Sequence, residues 1–151
     1  MLLRQADEKD LKFLFSLRNE PTTAVYSRRG FVPRTELHKD YFKNGKKTPY
    51  IAVHKGEDIG YIIFEELTDE TSVEISVAIL RDYRGQGLGT LLIKNASLFA
   101  LDVLGYETVV ASIMPSNLRS IRAFVKAGYK CDRENSASQL LYLFTFRRES
   151  N

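Results

Sequence analysis

With 151 residues, 44% of them hydrophobic and 27% charged, the chain is long enough for one domain with a real core and has the make-up of an ordinary globular protein. A net charge of +3 without a long basic run does not call for nucleic acid as a partner, and it leaves an anionic small molecule easy to accommodate. A single cysteine, Cys131, cannot close an internal disulfide, and no stretch approaches the roughly 20 apolar residues of a membrane span. With no signal peptide after Met1, a cytoplasmic chain without a membrane partner is expected.

Residues 2–5 read as a short strand. Asp7 is placed to cap a helix, with Asp10 in the capping-box position, and the helix runs to about Arg18 with Leu11, Leu14, Phe15 and Leu17 on its apolar side. Phe13 falls off that side, and Asn19-Glu20-Pro21 stops the helix. Residues 22–33 have no period and are polar and basic. Thr35 can cap a second helix through Leu37, Tyr41 and Phe42, ended by Asn44-Gly45. The character then turns to β: 49–55, 59–67 and 71–80 are strands joined by short turns, an antiparallel meander.

The third of these strands carries apolar residues at 73, 75, 77 and 79, a period of two. Past it the period changes, and Leu88, Leu91, Leu92, Ala96, Phe99 and Val103 mark one face of a helix that stops at Gly105. Gly85, Gly87 and Gly89 lie between strand and helix. Glycine lets the backbone bend sharply and bring its N–H groups close to a ligand, and a helix start adds unpaired donors, so the stretch reads as a phosphate cradle. A tight packing turn without a ligand is the alternative. The dinucleotide fingerprint fails because the third glycine comes one residue early, and the Walker loop fails because Gly89-Thr90 has no lysine between. Residues 108–113 follow as a buried strand, broken by Met114-Pro115-Ser116. Asn117 opens another helix with Leu118, Ile121, Phe124 and Val125 on one side, ended by Gly128; 129–132 and 140–146 close the chain as a strand pair before a polar tail. The class is α/β (α+β), in a single domain over 1–151.

Arg84-Gly85-Gln86-Gly87-Leu88-Gly89 reads as Arg/Gln-x-x-Gly-x-Gly/Ala, and the segment from Asn117 through Ser120, Phe124 and Lys126 to Gly128-Tyr129 reads as Asn-x-x-Ser/Ala-x-x-Leu-Tyr-x-Lys-x-Gly-Phe. Both resemble motifs of the GNAT superfamily of N-acetyltransferases, and the order of elements resembles that family along the whole chain. The resemblance implies a mixed, mostly antiparallel sheet of about seven strands flanked by about four helices. It implies acetyl-CoA as cosubstrate, with direct transfer of the acetyl group to an amine. Backbone N–H groups of Gly85, Gln86, Gly87, Leu88, Gly89 and Thr90 would take the pyrophosphate with Arg84 as counter-charge. Val77 and Ile79 would offer a strand edge to the pantetheine arm, Val77 an oxyanion donor, and Asn117 and Ser120 further cofactor contacts.

Glu74 is the candidate base for the attacking amine, being a few residues upstream on the same strand; the alternative is a solvated carboxylate on its polar face. The family's tyrosine, which reprotonates the leaving thiolate, is here Phe124, so another hydroxyl (Ser120 or Tyr142) substitutes or the thiolate leaves unassisted. His38 and His54 lack ligand spacing, so no metal is expected and both belong to the surface, while Cys131 reads as a small buried hydrophobe.

The acceptor is expected to meet the segment between the first two helices: Arg18, Asn19, Tyr26, Arg28 and Arg29. That pattern resembles acetyltransferases of bacterial amino-sugar pathways, the pseudaminic-acid route nearest, and shares part with ribosomal-protein N-terminal acetyltransferases. A nucleotide-linked amino sugar is the implied acceptor, since arginines suit a diphosphate and Tyr26 a ring face. A peptide N-terminus and a non-catalytic acetyl-CoA-binding module remain as alternatives, and a homodimer is left open.

Overall fold

A computed structural model describes residues 1–132 and 141–148. Its seven strands are hydrogen-bonded in the order β1 (Leu2–Gln5), β2 (Lys47–His54), β3 (Glu57–Glu66), β4 (Ser72–Ile79), β5 (Thr108–Ile113), β7 (Tyr142–Arg147) and β6 (Lys130–Asp132). β1 with β2, β2 with β3, β5 with β7 and β6 with β7 pair antiparallel, and β4 pairs with β5 in parallel. Among the described residues, no helix is long and apolar enough to cross a membrane. The chain divides into two compact units, Met1–Glu65 with Ser76–Gln86, and residues 66–75 with those from Gly87 on, so that each takes one half of β4.

In the first unit β2 is flanked by β1, with Leu2 opposite Val53, and by β3, with Ile51 opposite Tyr61. Asp7 and Asp10 form the expected capping box, but the turn they cap is a 3-10 helix, Glu8–Asp10; α1 follows as Leu11–Arg18. Glu20 and Pro21 then start a short helix, α2 (Pro21–Ala24), inside the stretch where the sequence shows no period. Four residues are too few for a period to register. The next helix, α3 (Arg34–Phe42), begins after Pro33 rather than at Thr35, and no side chain caps it. Leu11, Leu14, Leu17, Val32, Leu37, Tyr41, Ile51, Tyr61, Ile63 and Ala78 pack into one core, with Phe13 and Phe15 against it. Phe13 thus has a role its helical position did not suggest. The strands approach each other closely at Gly60: a Cβ there would lie 2.3 Å from the Ala78 carbonyl oxygen.

In the second unit the first half of β4 runs parallel to β5, Ser72 opposite Thr108 to Glu74 opposite Val110, and β5 pairs along its length with β7. The long helix α4 (Leu88–Asp102) buries Leu88, Leu92, Ile93, Ala96, Ala100 and Leu101. Leu91 and Val103, expected on that face, are exposed, because the buried stripe turns through Ile93 and Ala100 instead. In α5 (Leu118–Lys126) only Phe124 is fully buried, and Leu118 and Val125 face outward on either side of it. Tyr129 N–H bonds to the Phe124 carbonyl at 3.0 Å and Gly128 N–H to that of Val125 at 3.1 Å, while the Phe124 and Tyr129 rings meet edge to face at 4.9 Å. This is the expected glycine-ended helix with its apolar contact. Cys131 is exposed rather than buried, since β6 is a three-residue strand at the sheet edge. Leu140, expected to open the last strand, lies outside the described residues.

Candidate active site

The turn between β4 and α4 begins as a 3-10 helix over Arg81–Tyr83. Gly85 and Gly87 both have φ of +78°, which a side chain would strain, and a Cβ on either would project into open space. Gly87 is the N-cap of α4, and no side chain caps that helix end. The first helical bond runs from Leu91 N–H to the Gly87 carbonyl at 3.2 Å, so the N–H groups of Leu88, Gly89 and Thr90 have no acceptor within the helix. Uncapped donors, the positive end of a 15-residue helix and glycines that leave the approach open are what a diphosphate requires. The Gln86 side chain braces the turn by donating to the Asp82 carbonyl at 3.1 Å.

Arg84, the candidate counter-charge, also ties the turn to other elements. Its Nε donates to the Ile79 carbonyl at 3.0 Å, and its two terminal nitrogens donate to the Thr22 and Thr23 hydroxyls at 2.6 and 3.3 Å. The guanidinium therefore reaches α2, a contact across more than sixty residues that no local pattern signals.

On β4, Glu74 is half-buried and accepts a hydrogen bond from Ser112 Oγ at 2.8 Å. Ser112 was not singled out in the sequence; it reaches Glu74 because β4 and β5 run parallel and in register, Glu74 beside Val110. A carboxylate oriented in this way can accept a proton from an amine at the strand. Val73, Ile75 and Ile79 are buried as the period of two expects, while Val77 is half-buried and Ala78 is buried as well. Val77 and Ile79 lie beyond the three residues of β4 that pair with β5.

Asn117 caps α5, its side chain accepting from the Ser120 backbone N–H at 3.2 Å. Phe124, in place of the tyrosine, is 3% exposed and held by Tyr129, whose hydroxyl meets Ser97 Oγ at 2.5 Å. Burial pushes the Tyr129 hydroxyl well above its ordinary value, which makes it a poor partner for proton traffic. Tyr142 is exposed on β7.

Of the residues expected at the acceptor, Arg18 donates to the Gly30 carbonyl at 2.9 Å and to Ser27 Oγ at 2.5 Å. Asn19 exchanges hydrogen bonds with the Val32 backbone at 2.8 and 3.0 Å. Arg29 pairs with Asp40 at 2.8 Å and Glu36 at 3.1 Å, and the Asp40 bond in the first place raises its pKa. These three tie the segment 27–32 to α1 and α3. Arg28 is exposed and has no hydrogen bond or ion pair among the described residues; Tyr26 is half-buried nearby in sequence. His38 meets Glu8 at 3.1 Å on the surface.

The acetyltransferase (GNAT) domain matches residues 1–130. The chain belongs to that family. As a GNAT protein it is an N-acetyltransferase that depends on acetyl-CoA, and its seven-stranded, mostly antiparallel sheet with five described helices is the GNAT architecture. It is similar to an uncharacterized N-acetyltransferase of Methanocaldococcus jannaschii, 23% identical over 130 residues that cover 86% of this chain and 78% of that protein. The aminoglycoside acetyltransferase AAC(6')-Ib, solved with paromomycin and acetyl-CoA, superposes with a TM-score of 0.84 at 23% identity, covering 97% of this chain and 92% of the other. The spermidine N-acetyltransferase of Vibrio cholerae, solved with CoA and spermine, does so with a TM-score of 0.80 at 17% identity over 97% and 94%. At these identities the likeness is one of fold.

Proposed function

We propose that this GNAT enzyme acetylates a primary amine carried by a phosphate-bearing small molecule, with a nucleotide-linked amino sugar as the acceptor. The observation that carries the reading is Arg28. It stands exposed and without a partner among the described residues, while Arg18 bonds the Gly30 carbonyl and Arg29 meets the Asp40 and Glu36 carboxylates. A guanidinium left over in this way suits a diphosphate, and Tyr26, close to it in sequence, carries a ring that suits a sugar or base face. The mild positive charge of the chain favours the same class over polycations. The turn from Gly85 to Thr90 would hold the CoA diphosphate, with Val77 and Ile79 along the pantetheine arm and Asn117 and Ser120 at the cofactor; the acetyl thioester supplies the acyl group.

The amine nitrogen attacks the thioester carbonyl carbon, the C–N bond forms and the C–S bond breaks. Glu74 takes the proton the nitrogen sheds, directly or through one water, and the Val77 backbone N–H steadies the oxyanion. The thiolate leaves without a tyrosine at 124, which a thiol pKa near about 8.5 permits.

Acetyl-CoA consumption measured with a UDP-linked amino sugar, N-terminal peptides, kanamycin and spermidine tests the assignment. Turnover of the sugar nucleotide is expected, with Arg28→Ala raising its KM about tenfold while KM for acetyl-CoA stays put. Acetylation of peptides or of the polycationic amines with none of the sugar nucleotide overturns it.

A further inference from the structure

The helix α2 has four residues and buries none of them. So short a helix has no stability of its own and is held by its surroundings. Its N-terminus is closed by Glu20, which accepts from Thr22 N–H at 3.0 Å and from the Thr22 hydroxyl. Among the described residues, two arginines of the turn before α4 also grip it. Arg84 donates to the Thr22 and Thr23 hydroxyls and lies 3.7 Å from Glu20, and Arg81 lies 3.8 Å from the same carboxylate. The Arg84 side chain is only 16% exposed, so these bonds form in a protected setting and link in series: guanidinium to Thr22 hydroxyl to Glu20 carboxylate. The Glu20 carboxyl is held below its ordinary range, first by the Thr22 hydroxyl and then by the two arginines.

We infer that Arg84 is a positioning residue that couples occupancy of the 85–90 turn to the order of residues 20–27. Its backbone begins the turn and its Nε is anchored on the Ile79 carbonyl. Fixing the turn on a diphosphate fixes the guanidinium, and the guanidinium fixes α2. Since the inference rests on the cofactor and acceptor readings proposed above, its consequence is reciprocal: CoA in the turn and an acceptor beside Arg28 each raise the affinity for the other through Arg84 and α2. Two sites that bias one marginal element are coupled by thermodynamic necessity.

Hydrogen–deuterium exchange with and without saturating CoA tests this in the whole chain. In the wild type, amides of residues 20–27 are expected to exchange about tenfold more slowly once CoA is bound. In Thr22→Val/Thr23→Val, which keeps the shape of both side chains and removes both hydroxyls, CoA still binds by calorimetry and the added protection of 20–27 disappears. Equal protection in that variant, or CoA uptake by the wild type with no protection of 20–27, overturns the latch and leaves the cofactor reading standing. A wild-type chain that takes up no CoA overturns both. The wild-type comparison does not depend on any variant folding.

Discussion

At Gly87 two demands meet in one residue: a φ of +78° and an open approach to the start of α4. Valine there would both strain the backbone and fill the space before the uncapped N–H groups. Gly87→Val is therefore expected to lose CoA binding in calorimetry by about 100-fold or more while the far-ultraviolet circular dichroism stays that of the wild type. Equal affinity would remove the diphosphate from this turn. Glu74 carries a second expectation. Glu74→Gln should lower turnover roughly 100-fold with acetyl-CoA affinity nearly unchanged, and the deficit should narrow as pH rises and free amine becomes abundant. Ser112→Ala, which only loosens the carboxylate, should cost less, about 3–10-fold. A rate unaltered in Glu74→Gln at neutral pH would make the carboxylate a surface group.

Among the elements, β3 and β4 come close at Gly60. The Gly60 Cα faces the Ala78 carbonyl so closely that a methyl group would sit 2.3 Å from the oxygen, and the backbone cannot step aside as a flexible side chain can. Gly60→Ala should cost about 1–3 kcal/mol, read as a melting temperature lower by several degrees. Because Ala78 lies between Val77 and Ile79, the same substitution should weaken CoA binding as well. An unshifted melting temperature would mean that β3 and β4 part locally at little cost. The ends of α4 and α5 make the opposite case. Gly87 and Gly128 close or open their helices through bonds within a few residues, so both were recognisable without any tertiary contact.

For the molecule as a whole, pH acts on a small number of tied carboxylates. Arg4 bonds Asp10 with both terminal nitrogens, at 3.0 and 2.9 Å, and this bond above all holds the Asp10 carboxyl below its usual 3.8. A lowered carboxyl pKa means that the stabilisation is complete above about 3.8 and is lost as pH falls through the lower value of the folded state. Arg4→Ala should thus lower the unfolding free energy from urea titration at pH 7 by about 1 kcal/mol, Arg4 being partly exposed, and the gap to the wild type should close as pH drops below 3.8. A gap that persists undiminished in acid would mean that Arg4 acts through packing and not through Asp10.

What the chain's residues determined unaided is local. The capping box of Asp7 and Asp10, the glycine turn from Gly85 to Gly89, the glycine-ended helix at Gly128 and the strand at 108–113 each arise from groups close in sequence, so propensity and period suffice to find them. The tertiary structure decided which side chains meet. Ser112 reaches Glu74 across 38 residues through a parallel register, and Arg84 reaches Thr22 across 62. Arg29, a candidate acceptor contact, meets Asp40 and Glu36, and Cys131 came to the surface because its strand is the sheet edge. None of these follows from a pattern of spacing, because a side chain's partner is set by which strands pair and which helix lies within reach, and those depend on burial summed over the whole fold.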